Sequence, residues 1–241
     1  MKVIAFSSIK GGSGKTSAAL FTAEALAKAG KRVIAVDADA NNNLTDALAR
    51  KESPAYLEEH SLYRAITGRR PLPECVIPTD FNLGLIAGTP SLAHAGRDLS
   101  NDPGVVFRFP AELKALDAEV IIIDTPPALT IELTLALYAA DMVIVPVGFT
   151  RWTIAAFEVI DDQLRVVKKT TGRPARLLAL PDIVTERELV SLRKIHVGWT
   201  MTRTAIFKSA AIRNATNTGK ALKDNTTAWT WYNELALEVM E

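Results

Sequence analysis

The sequence predicts an α/β fold with a mostly parallel, twisted sheet flanked by helices, and three observations carry that prediction. Short apolar, β-branched runs alternate with helical patterns from one end of the chain to the other. The first run feeds directly into a glycine-rich loop that opens a helix. Two later runs end in aspartate, at the edge where a parallel sheet presents its ligand crevice.

Lys2 to Phe6 is the first strand, and Thr16 to Ala29 follows as a helix because no breaker interrupts it before Gly30. Val33 to Val36 is a second apolar strand, with Leu44 to Arg50 as the helix after it. Leu83 to Ala87 is a strand between two broken stretches. The stretch from Glu52 to Phe81 carries Pro54, Pro71, Pro73 and Pro78, and Gly88 to Gly104 is similar, so both are expected as surface excursions. Helix Val105 to Leu116, strand Val120 to Ile123, helix Ile131 to Ala139 and strand Met142 to Pro146 come next, with Asp141 read as a turn residue and Pro146 as a bend. Helix Thr153 to Lys168 leads to strand Arg176 to Leu180, and helices Glu186 to Ile195, Ser209 to Asn217 and Thr226 to Met240 close the chain. No linker, repeat or low-complexity tract divides it, which predicts one domain over residues 1–241.

The 241 residues are 48% hydrophobic and 23% charged, which excludes disorder and a collagen-like chain and leaves ordinary globular composition. The lone Cys75 excludes a disulfide scaffold and fits a reducing compartment, so the expected location is cytoplasmic. No stretch approaches the roughly 20 apolar residues needed to cross a bilayer. His60, His94 and His196 are scattered and have no metal-binding spacing.

The net charge of +1 hides an asymmetry. Residues 1–162 hold 15 basic and 20 acidic side chains, residues 163–223 hold 13 and 3, and residues 224–241 hold 0 and 4. A basic block of that size suits a polyanionic partner.

Ile9-Lys10-Gly11-Gly12-Ser13-Gly14-Lys15-Thr16 joins the first strand to the first helix. The glycines allow backbone N–H groups to turn inward around phosphate oxygens, and the helix N-terminus adds partial positive charge. Lys15 is placed to bridge terminal phosphates and the Thr16 hydroxyl to ligate Mg²⁺, which predicts a P-loop fold. Gly11, Gly12, Ser13, Gly14 and Ser17 complete the expected nucleotide cradle.

With Ile9 in place of the usual first glycine and a second lysine inside it, the loop resembles the deviant Walker A of the ParA/MinD family of ATPases. The resemblance assigns Lys10 to the family's signature lysine, which reaches the partner's nucleotide across a dimer interface. Val33-Ile34-Ala35-Val36-Asp37-Ala38-Asp39 looks like the family's Asp-x-Asp switch, making Asp39 the candidate for orienting the attacking water and Asp37 its support near the metal. The family usually continues Pro-Gln, where this chain has Ala40-Asn41. Val120 to Pro127 is similar to the family's Walker B, with Asp124 as the candidate holder of Mg²⁺. The final third matches less closely, and the candidates for facing adenine are the backbone around Pro181 or Asp182.

The resemblance thus implies an ATPase using ATP and Mg²⁺ that forms a homodimer when ATP-bound. It also implies stimulation by an adaptor protein, association with the nucleoid, and segregation of a plasmid or chromosome, while the basic block fits non-specific DNA binding, with Arg193, Lys194, Arg203 and Arg213 as candidate contacts. The alternatives are a ParA-like ATPase that positions a non-DNA cargo, a MinD-like membrane ATPase and a ligase of the dethiobiotin synthetase kind. A membrane partner is disfavoured because Thr226 to Glu241 carries no Lys or Arg. A ligase is disfavoured by Lys10 and the basic block, and a nitrogenase-type iron protein by the single cysteine.

Overall fold

The computed structural model describes residues 1–195 and 198–241, so His196 lies outside the described residues. Chain order runs β1 (Lys2–Phe6), α1 (Lys15–Lys28), β2 (Val33–Asp37), α2 (Asn43–Leu48), α3 (Pro54–Glu59), α4 (Leu62–Ile66), β3 (Ile77–Pro78), β4 (Gly84–Ile86), α5 (Ala95–Asp98) and α6 (Val105–Lys114). It continues β5 (Val120–Asp124), α7 (Ile131–Ala139), β6 (Met142–Val147), α8 (Arg151–Thr171), β7 (Arg176–Val184), α9 (Glu186–Lys194), β8 (Ile206–Phe207), α10 (Ala210–Thr218) and α11 (Thr227–Met240). Among the described residues these strands form one sheet in the order β3-β4-β2-β5-β1-β6-β7-β8, and only the β3–β4 pair is antiparallel.

Alternate residues of the central strands feed cores on opposite faces, as the period of two requires. Val3, Ala5, Ile121 and Ile123 pack on one side with α6, α7 and α8. Ile4, Phe6, Val120 and Ile122 pack on the other with α1, α10 and α11. The last helix buries Trp229, Tyr232, Leu235 and Val239 there.

Local chemistry sets the helix ends. Thr130 caps α7 by accepting the Leu133 N–H, and Thr185 with Glu188 forms a reciprocal capping box on α9. The stretch expected to be irregular contains α3 and α4, because Ser53 and Ser61 each accept an N–H in the following turn and Pro54 suits a first helical position. Asp141 is a joint rather than a simple turn: its Oδ2 accepts the Val3 N–H at 2.9 Å and its Oδ1 accepts from Arg173 at 3.0 Å.

β3 and β8 lie where no strand was expected, and two of the expected strands differ. Pro146 does not bend the chain out of the sheet but sits inside β6, opposite Leu180. β7 continues past Leu180 to Val184, because Val147 pairs with Pro181, and β8 pairs with Asp182 and Val184 across a bulge. At the bulge Ile183 has φ 56°, a left-handed conformation that β-branched side chains rarely adopt.

Candidate functional site

The site lies where β1, β2, β5 and β7 end on the same side of the sheet. The Ser7 N–H donates to the Ile144 carbonyl at 2.9 Å, so the chain leaving β1 stays in register with the sheet before it turns. Gly12 and Gly14 take φ of 70° and 93°, and α1 starts at Lys15 with no side-chain cap and no acidic residue in its first turn. The amino end of this 14-residue helix therefore leaves its N–H groups free for an anion.

Lys15 turns inward. It is 7% exposed, and its Nζ lies 3.5 Å from the Lys10 carbonyl oxygen. Burial lowers its pKa, while the charges of Asp124 and Asp39 oppose that shift. Lys10 turns the other way and donates to Thr150 Oγ1 at 3.4 Å.

Parallel pairing of β2 with β5 sets Asp37 directly beside Asp124, both fully buried. Desolvation raises the pKa of each carboxyl, and the neighbouring carboxylates raise them further. Asp37 is held by internal donors: Oδ2 accepts the Thr45 N–H and the Thr45 hydroxyl, each at 2.8 Å, and Oδ1 accepts the Asp39 N–H at 3.1 Å. Asp124 Oδ1, in contrast, is buried with no hydrogen-bond partner. Thr16 is near enough to hydrogen-bond the Asp124 carboxylate and favour its charged form.

An unpartnered buried carboxylate oxygen, a second carboxylate beside it and a threonine hydroxyl fit Mg²⁺. Among the described residues no three His, Cys, Asp or Glu side chains form a ready-made cage. Mg²⁺ takes one or two protein ligands together with substrate phosphates. Thr16 and Asp124 are the residues that would hold it, with Asp37 behind them.

Thr16 opens on a cleft of about 1060 Å³ that is lined by Gly11 through Ser17 and by Asp39, with Asp37 and Asp124 buried beneath it. Asp182, which abuts the loop, and the apolar side chains of Ile183, Ile206 and Phe207 also line it. Burial pushes Asp182 up to about 7, and its Oδ2 has no partner. A Cβ at Gly14 would overlap that carboxyl, so position 14 requires glycine for space as well as for φ. Pro181, the alternative to Asp182 for facing adenine, is buried in β7 and is absent from the cleft lining.

The four basic candidates do not form one patch. Arg213 lines the cleft beside the glycine loop. Arg203 is ion-paired with Glu241 and Glu238, and its carbonyl accepts from Arg193 at 2.8 Å. Lys194 is exposed and has no ion-pair partner among the described residues. Elsewhere in the basic block Lys208 pairs with Glu188, Arg173 with Asp141 and Arg165 with Asp161.

Sequence reasoning missed Thr45, Thr150 and Thr216, whose hydroxyls hold Asp37, Lys10 and Ser17 respectively. Each lies in a segment with no motif of its own, so only proximity in the fold identifies it. Ser17 Oγ and Thr216 Oγ1, 2.9 Å apart, tie the first turn of α1 to α10.

The family model described as an AAA domain matches residues 1–175. The chain is 33% identical over 171 residues to the chromosome partitioning protein ParA of Myxococcus xanthus, a match covering 70% of this chain and 59% of that protein. It is 30% identical over 247 residues to the chromosome-partitioning ATPase Soj of Thermus thermophilus, covering 98% of this chain and 94% of that protein. Among solved structures, cobyrinic acid a,c-diamide synthase from Mycobacterium smegmatis with bound ADP and magnesium has a TM-score of 0.84 at 24% identity, covering 100% of this chain and 94% of that one. At that identity the likeness concerns the fold.

Proposed function

The chain belongs to the ParA/MinD family of ATPases, and from that premise we propose that residues 1–241 form a single domain that binds ATP and Mg²⁺, pairs into a homodimer around the nucleotide, and binds DNA non-specifically in that state. Hydrolysis, stimulated by an adaptor protein, releases the DNA, and the cycle segregates a plasmid or chromosome on the nucleoid in the cytoplasm. One observation carries the nucleotide chemistry: the uncapped amino end of α1, Lys15, Thr16 and Asp39 line one cleft, and the unpartnered oxygen of Asp124 is buried behind them.

In this reading the N–H groups of Gly11 to Thr16 and the Lys15 ammonium hold the phosphates, and the apolar wall of Ile183, Ile206 and Phe207 receives the base. Bound Mg²⁺ would neutralise phosphate charge and polarise the terminal phosphoryl group. Asp39 accepts a hydrogen bond from the attacking water and so orients it. Lys10 serves the partner's nucleotide.

Asp39→Ala is the test. ATP binding should persist, single-turnover hydrolysis should fall about 10²-fold or more, and the protein should accumulate as a dimer in sedimentation with ATP. Normal turnover would remove Asp39 from this role.

A second reading, positioning of a cargo other than DNA, is favoured by one observation. Arg165, Arg173, Arg203 and Lys208 are already ion-paired within the chain, which leaves less free positive charge than the basic block suggested. A DNA isotherm measured with and without ATP separates the two.

A further inference from the structure

We propose that Asn41 is a positioning residue for hydrolysis, which holds the Asp39 carboxylate in the one orientation that leaves an oxygen free for water. This rests on the assignment of Asp39 given above. Asp39 Oδ1 accepts two hydrogen bonds from the same residue, one from the Asn41 backbone N–H at 2.9 Å and one from the Asn41 side-chain Nδ2 at 3.0 Å. Among the described residues Asp39 Oδ2 accepts none, and Asp39 lines the cleft beside Lys15 and Thr16. One oxygen is therefore pinned and the other is available.

The backbone bond alone is an ordinary feature of an aspartate turn. The side-chain bond is not part of that turn, and it acts where the carboxylate is loosest. Rotation of a carboxylate about its terminal torsion is broad and meets little intrinsic barrier, so a single donor leaves the plane of the group poorly defined. Two donors on one oxygen, approaching from the backbone and from the amide, define it.

The other end of the segment is anchored as firmly. The Asp39 N–H donates to Asp37 Oδ1, Asp37 Oδ2 is gripped by Thr45, and the Thr45 hydroxyl accepts the Gly88 N–H at 2.8 Å. A Cβ at Gly88 would overlap Asp37, so β2 and the chain leaving β4 are locked together at this point. The backbone of Asp39 is thus fixed from inside the protein by Asp37 and Thr45, and its side chain is fixed from outside by Asn41, which is solvent-exposed. Asn41 is exposed and itself lines the cleft, so its side chain can be changed without disturbing the core, and the affinity for a non-hydrolysable ATP analogue separates a direct ligand contact from an effect through Asp39.

Single-turnover and steady-state ATP hydrolysis by the full chain, with saturating Mg²⁺, tests the proposal. Asn41→Ala should lower kcat on the order of 10-fold, with KM and the affinity for a non-hydrolysable ATP analogue unchanged, because a small misplacement of an orienting group acts on the chemical step. Asn41→Gln, which keeps the amide donor, should recover most of the loss, and Asn41→Asp, which sets a carboxylate against Asp39, should fall below Asn41→Ala. In an Asp39→Ala background, adding Asn41→Ala should cost nothing further, because Asn41 acts only through Asp39. Wild-type kcat in Asn41→Ala, or a full additional loss in the double variant, overturns the role of Asn41 and leaves Asp39 in place. Normal turnover in Asp39→Ala overturns both assignments.

Discussion

Lys10 and Thr150 meet across the mouth of the nucleotide loop, with the Lys10 ammonium donating to Thr150 Oγ1 at 3.4 Å while Lys15, five residues on, is buried beside Asp124. Thr150 precedes α8 and also lies 3.0 Å from the Thr153 hydroxyl. The two lysines of the loop therefore serve different spaces, one inside the subunit and one at its surface. Lys10→Ala should keep its affinity for ATP within about threefold yet remain monomeric in sedimentation with ATP and Mg²⁺. ATP-induced dimers of this variant would show that Lys10 has no role in pairing.

Lys15→Ala should lose at least about 100-fold in ATP affinity, because the variant removes charge-assisted contacts to phosphate from a desolvated position. Direct titration with ATP reads this, and an unchanged isotherm would remove the loop from nucleotide binding.

Gly14→Ala should be destabilised by about 1–3 kcal/mol in denaturant unfolding, because φ of 93° is costly for alanine and its Cβ meets the Asp182 carboxyl. Gly11, whose Cβ would meet nothing within 4 Å, is the control. Gly11→Ala should unfold at nearly the denaturant concentration of the unaltered chain.

Asp182 gives a pH prediction with a definite sign. Its folded pKa of about 7 exceeds the value of about 3.9 in an unfolded chain, so between those values the folded state binds the extra proton. Its contribution therefore lowers stability as pH rises from about 4 to about 7, and is constant above that. Asp182→Asn removes the titration, so its stability relative to the unaltered chain should climb over that window by an amount on the order of a few kcal/mol. A pH-independent difference in urea unfolding would contradict the buried-carboxyl account.

DNA affinity should depend on ATP and fall steeply with salt, on the order of 10³-fold between about 50 and 200 mM if a dimer neutralises about 6 phosphates. Arg193→Ala with Lys194→Ala should lower the slope of log affinity against log salt by about 1 for each phosphate contact removed in each subunit. Arg213 is unsuited to this test because it lines the nucleotide cleft. An unaltered slope would assign the end of α9 to solvent.

What the sequence determined by itself was the fold class and which loop and strand ends assemble the candidate site. The glycine loop between strand and helix, Asp39 two residues beyond the end of β2 and Asp124 at the end of β5 are readable because backbone preference and motif spacing act over about ten residues. The tertiary structure decided everything that depends on which segments meet. Strand pairing put Asp37 against Asp124, and Thr45 then occupied Asp37 while Asp124 kept an unpartnered oxygen. The extension of β7, with its bulge at Ile183, came from pairing with β6 and β8 and overrode the strand end expected near Pro181. The basic block read as +10 because its counter-charges Asp141, Asp161, Glu238 and Glu241 lie outside it in sequence. Charge acts through space with a reach of about 10 Å in ordinary salt, and a count along the chain cannot register partners brought within that reach by folding.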